Sequence, residues 1–109
     1  MKQSKIDRLR AAGWKVGTPR ELLALSDEES NLIEVKLAIA ELIYARRRRA
    51  RLTQNELAER IGSSQSRVAK MESGSASVSL ELMLRAAFGL GVSIPELGKA
   101  LTVTSRHAG

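Results

Sequence analysis

Residues 52–74 read LTQNELAERIGSSQSRVAKMESG, and the reading of the fold turns on them. Thr53-Gln54-Asn55-Glu56 offers a hydroxyl at an N-cap and an acid three residues later, the two halves of a capping box. Leu57, Ala58 and Ile61 follow at helical spacing, and Gly62 stands where the chain must reverse, a position that favours a residue tolerant of positive φ. A second short helix comes after the serines, with Val68 and Met71 turned toward the first. Ala58 is small enough to let the second helix approach, and Val68, ten residues on, faces back to it. A small residue, a turn glycine and a branched apolar residue at this spacing predict a helix-turn-helix.

The solvent side of the second helix is wholly polar: Ser64, Gln65, Ser66, Arg67 and Lys70. Glutamine can bond adenine with two hydrogen bonds, lysine can reach the O6/N7 edge of guanine, and serine can serve either. A helix placed in a major groove reads base edges with its N-terminal residues, while the start of the preceding helix lies on the sugar–phosphate backbone.

Outside this stretch the pattern is also helical. Capping boxes recur at Thr18-Pro19-Arg20-Glu21, Ser26-Asp27-Glu28-Glu29 and Ser93-Ile94-Pro95-Glu96, and Ser79 precedes LELMLRAAF as a plainer cap. Gly13, Gly62, Gly74 and the pair Gly89/Gly91 mark stops. Helices are expected at 4–12, 19–25, 27–51, 54–61, 65–73, 80–88 and 94–102, with Trp14–Gly17 as the one short strand candidate. The long helix at 27–51 carries two apolar stripes, Ile33, Leu37, Ala40 and Tyr44 beside Leu32, Val35, Ile39 and Leu42/Ile43. A face that wide predicts burial against more than one neighbour. The expected class is all-α: a five-helix domain with an N-terminal extension of one short helix and a short strand.

Composition narrows the function. The chain has 109 residues, 43% of them apolar, enough for one domain with a core that needs no staples. It has no cysteine and one histidine, His107, so disulfides and the usual metal sites are excluded. The carboxylates are scattered as caps and helix-face partners, no Gly-rich phosphate loop appears, and no catalytic constellation or cofactor site is expected. No apolar run approaches a membrane span, and the basic start lacks the apolar core of a secretory signal. A cytoplasmic, bacterial location is expected.

Net charge is +6, and five positive charges fall in ARRRRAR at Arg46–Arg49 and Arg51. Cations near a helix C-terminus complement its dipole by roughly 0.3–1 kcal/mol each. Like charges at (i, i+4), such as Arg47 and Arg51, repel by a comparable amount, so helix stability does not account for five of them. Phosphate binding does, and Arg47, Arg48 and Arg51 are the expected contacts.

Taken together, LTQNELAERIGSSQSRVAKMESG and the following SLELMLRAAFGLGVSIPEL resemble the Xre/Cro family of phage-repressor helix-turn-helix domains over about residues 38–103. The resemblance implies that Gln65, Ser66 and Lys70 contact bases and that Gln54, Ser64 and Arg67 contact phosphates of double-stranded DNA. It also implies a homodimer, with Leu97 and Leu101 of the last helix at the interface. A narrower resemblance, carried by GWKVGTPRELLALSDEESNLIEVKLAIAEL and by SSQSRVAKMESG with SVSLELMLRA, is to HigA-type antitoxins of toxin–antitoxin operons. Those proteins repress their own operon and cover a RelE/HigB-like ribonuclease toxin with an N-terminal segment. This implies a division into a toxin-binding extension at 1–26, a DNA-binding domain at 27–104 and a flexible tail at 105–109. Ile6, Leu9, Trp14 and Val16 are the expected toxin contacts, since tryptophan is enriched at interface hot spots and a nine-residue helix is marginal alone.

Overall fold

Four helices end with the same pair of hydrogen bonds. In this computed structural model, which describes residues 27–108 and side chains as far as 102, five helices follow one another: α1 (Asp27–Arg49), α2 (Gln54–Ile61), α3 (Gln65–Glu72), α4 (Leu80–Gly89) and α5 (Ile94–Ala108). At the end of α1 the N–H of Leu52 donates to Arg47 O (3.1 Å) and that of Arg51 to Arg48 O (3.0 Å). The same 6→1 and 5→2 pattern closes α2 at Gly62, α3 at Gly74 and α4 at Gly91. These are Schellman motifs, each with one residue in the left-handed region. Three of those residues are glycines. The fourth is Arg51, at φ 59°.

The starts are equally regular. Thr53 and Glu56 form a reciprocal capping box on α2, and Ser93 and Glu96 do the same on α5. Ser64 caps α3 and Ser79 caps α4, each by accepting a backbone N–H three residues on.

α1 packs against α4, α5 and α3, while α2 packs against α3 and α4. The core between them is built from Ile39, Ala40 and Ile43 of α1, Leu57 and Ala58 of α2, Val68 and Met71 of α3, and Met83, Ala86 and Ala87 of α4, closed by Val78, Leu90 and Val92. Ala58 and Val68 are both fully covered, as the packing of the two short helices requires.

The expected all-α, five-helix architecture is what the described residues show, and the helix-turn-helix occupies the expected positions. Three differences concern α1 and α5. α1 stops at Arg49 rather than 51, because the Schellman turn takes up Ala50 and Arg51. Its buried face includes Ile33, Lys36, Leu37, Ala40, Ile43 and Arg47, and the outer members of the two expected stripes, Tyr44 and Leu32, are about half exposed (47% and 46%). α5 continues to Ala108, past the expected 102 and through most of the segment expected as a tail; no glycine or proline interrupts it after Gly98. The expected helices at 4–12 and 19–25, the strand at 14–17, and Ile6, Leu9, Trp14 and Val16 lie outside the described residues.

Candidate nucleic-acid interface

α3 shows one face to the core and one to solvent. Val68 and Met71 are fully buried, whereas Gln65, Ser66, Arg67 and Lys70 are exposed, as is the capping Ser64. An eight-residue helix held by two apolar side chains needs further restraint to present polar groups in fixed directions.

That restraint is a chain of hydrogen bonds running back to α1. Gln65 Nε2 donates to Gln54 Oε1 at 2.6 Å. Gln54 Nε2 donates to Glu72 Oε1 at 3.1 Å. Glu72 receives both Arg47 Nε (to Oε2, 2.5 Å) and Arg47 Nη2 (to Oε1, 2.9 Å), the side-by-side geometry that suits a guanidinium and a carboxylate. Arg47 Nη1 donates to Leu52 O at 2.8 Å. The first residue of α3, its last residue, the first residue of α2 and the last turn of α1 are thus joined in one network.

The arginine run divides in two. Arg46 and Arg47 turn inward. Arg46 pairs with Glu96 and points Nη2 at the Leu90 and Gly91 carbonyls, tying the end of α4 and the start of α5 to α1. Arg47 is 8% exposed, and the hydrogen bond to Glu72 holds its pKa above the ordinary arginine range against the opposing effect of burial. Arg47, one of the expected phosphate contacts, thus has a covered guanidinium committed to Glu72 and to Leu52 O. Arg48, Arg49 and Arg51 are exposed. The guanidinium of Arg48 stands 5.7 Å from the centre of the Tyr44 ring and that of Arg47 5.5 Å, so the half-exposed tyrosine braces both by cation–π attraction.

A family model described as helix-turn-helix matches residues 43–97, just over half of the chain. The matched span begins in the last two turns of α1 and ends in the first turn of α5, so it encloses α2, α3 and α4.

The chain belongs to the helix-turn-helix family.

Its type is Xre/Cro, and with it comes the coarse function: a DNA-binding transcriptional regulator. No curated protein and no solved structure matches the chain significantly. In this helix-turn-helix protein α2 and α3 are the two helices of the motif. No helix among the described residues is long and apolar enough to cross a membrane.

Of the expected DNA contacts, Gln65, Ser66, Lys70, Ser64, Arg67, Arg48 and Arg51 are exposed, and Gln54 is half-buried between Gln65 and Glu72. Leu97 and Leu101, the expected dimer residues, are half-buried, and Leu97 rests on the protein's own core. The larger exposed apolar side chains in that region of the sequence are Phe88 (46%) and Ile94 (75%). Sequence reasoning missed Glu72 as the hub of the network. The signal that could have found it was its position: it is the only carboxylate in α3, at the end nearest α1.

Proposed function

We propose that this regulator is an operator-binding repressor that reads double-stranded DNA with Gln65, Ser66 and Lys70 and binds phosphates through Ser64, Arg67, Arg48 and Arg51, with Gln54 at the backbone and holding Gln65. The observation that carries this reading is the Arg47–Glu72–Gln54–Gln65 network. A glutamine that must match two atoms on a base edge loses little freedom on binding if a neighbour already fixes it. The regulator acts as a homodimer on paired half-sites, with Leu97 and Leu101 at or beside the interface.

We further propose that it is the antitoxin of a HigA-type pair, repressing its own operon while its N-terminal extension, residues 1–26 with Ile6, Leu9, Trp14 and Val16, covers a RelE/HigB-like ribonuclease toxin. The support is the resemblance of residues 13–42 and 63–86 to that group, together with an α1 that begins at Asp27, 16 residues before the family match starts at 43. The test is co-expression with the adjacent genes. A small basic partner that co-purifies in equal amount, and is lost on deleting residues 1–25 while promoter binding persists, is the expected result. A chain that comes out alone yet binds its own promoter would make it a plain Xre-type regulator.

A further inference from the structure

The part of α1 that precedes the family match contains a buried lysine. Lys36 is 4% exposed, and burial lowers its pKa from the ordinary lysine value. Its Nζ donates to Ser75 O at 3.0 Å and to Val78 O. Both acceptors belong to residues 73–79, the segment that leads from the recognition helix into α4, and Ser75 and Val78 are themselves buried.

That segment is continuous with the reading surface. The N–H of Ser75 donates to Lys70 O at 2.9 Å, inside the Schellman turn that ends α3. Lys70 is an expected base contact. One residue, Ser75, therefore links the carbonyl of a base-reading position to the ammonium group of Lys36. Beside it, Leu37 packs on Gly74 so closely that a Cβ there would come within 2.8 Å of Leu37 Cδ2, at a φ of +70°. Lys36, Ala40, Ile43 and Arg47 lie at i, i+4, i+7 and i+11, which is one face of a helix. α1 thus grips the far end of α3 twice: Arg47 takes its last side chain, and Lys36 takes the backbone just beyond.

We propose that Lys36 is a positioning residue for operator recognition, through which the N-terminal half of α1 sets the seat of the recognition helix. A neutral side chain at 36 takes this donor from the Val78 carbonyl and leaves the Ser75 carbonyl with the 3.3 Å bond from Val78 N–H, and under-satisfied buried groups move to find water or another partner. The movement is delivered to Ser75, and so to the turn of α3 that carries Lys70. Apolar burial by Leu57, Val68 and Met71 is untouched, so the domain survives while its presentation of α3 shifts.

This inference rests on the DNA-reading role of α3. The experiment is a binding titration of the full chain on a fragment of its own promoter and on a random duplex of equal length, at a temperature where circular dichroism shows each variant folded. Lys36→Met is expected to lower the ratio of specific to random affinity about tenfold, the size of one mismatched base pair, with random-duplex affinity unchanged. Lys36→Gln, which keeps an N–H donor on a shorter stem, is expected to fall between and decides the matter if the methionine variant does not fold. Val92→Ala, a core truncation in the α4–α5 connection, is the control for stability alone and is expected to keep the ratio. An unchanged ratio in both Lys36 variants, or an equal loss in Val92→Ala, overturns the positioning role. A wild-type chain with no preference for its promoter overturns the reading role of α3 and this inference with it.

Discussion

Arg47 and Glu72 meet through two hydrogen bonds, at 2.5 and 2.9 Å, with both side chains less than a tenth exposed. Removing one partner strands a buried charge, which typically costs about 3–5 kcal/mol. Glu72→Ala is therefore expected to lower stability by that order in urea denaturation, and selectivity for the promoter should fall as well, since Gln54 no longer has its acceptor. Replacing both partners by apolar residues of similar size, Arg47→Met with Glu72→Leu, is expected to recover most of the stability. The recovered protein should still bind DNA less selectively than wild type. Full selectivity in the double variant would show that the network serves the fold alone.

Gln54 and Gln65 are expected to act as a unit. If Gln65 reads a base as proposed, Gln65→Ala is expected to lose roughly 1–3 kcal/mol of discrimination at one base pair. Gln54→Ala should lose part of the same discrimination, at the same base pair, by freeing Gln65. In a double-mutant cycle the two losses should not add, and the coupling should fall in the range of about 0.5–3 kcal/mol found for residues in one network. Additive losses at different base pairs would show that Gln54 touches DNA independently of Gln65.

The two capping boxes give a pH dependence. Glu56 is held below the ordinary glutamate range by the backbone N–H of Thr53, and Glu96 by that of Ser93. A carboxyl whose pKa is lower in the folded state than in the unfolded state binds its proton less readily when folded. Its contribution is present above about pH 4.3 and is lost as pH falls through the lower folded value. Thermal melts of Glu56→Gln and Glu96→Gln should therefore lie below wild type at neutral pH and converge with it in acid. Glu96→Gln should show the larger neutral-pH effect in low salt, since Glu96 also pairs with Arg46. A gap that widens on acidification would contradict the assignment.

The helix-turn-helix was legible because its signals are local. Thr53 and Glu56 cap each other across three residues, and Gly62 closes the helix they open. The division of labour among the arginines was not legible in the same way. Arg46 to Arg49 sweep most of a helical turn, and only the phase set by Ile39 and Ile43 decides which of them point inward. That phase also places Lys36 inside, against the habit of lysines, and its acceptors lie 39 and 42 residues away, which no local pattern reveals. Tyr44 entered an expected apolar stripe for the opposite reason: its ring suits a core, but its phase sets it beside Arg48. The long-range acceptors, not the helices, are what sequence periodicity leaves out.

Arg51 holds the one left-handed backbone position that is not a glycine among the described residues. For an L-residue that conformation costs roughly 1–2 kcal/mol, which the Schellman bonds to Arg47 O and Arg48 O sustain. Glycine is the residue the turn prefers, and Gly62, Gly74 and Gly91 supply it at the equivalent places. An arginine kept there at a cost in stability fits a side chain retained for phosphate binding. Arg51→Gly is expected to raise stability by roughly 1 kcal/mol and to weaken binding to specific and random duplexes alike. The log–log salt slope should fall by roughly 0.9 for each phosphate that the protein no longer neutralises. Arg51→Ala separates the two effects: the strain remains, so stability should stay within about 0.5 kcal/mol of wild type, while the salt slope falls as it does with glycine. If glycine stabilises the fold but both variants keep the wild-type slope, the strained arginine serves the turn alone and the phosphates are bound by Arg48 and Arg67.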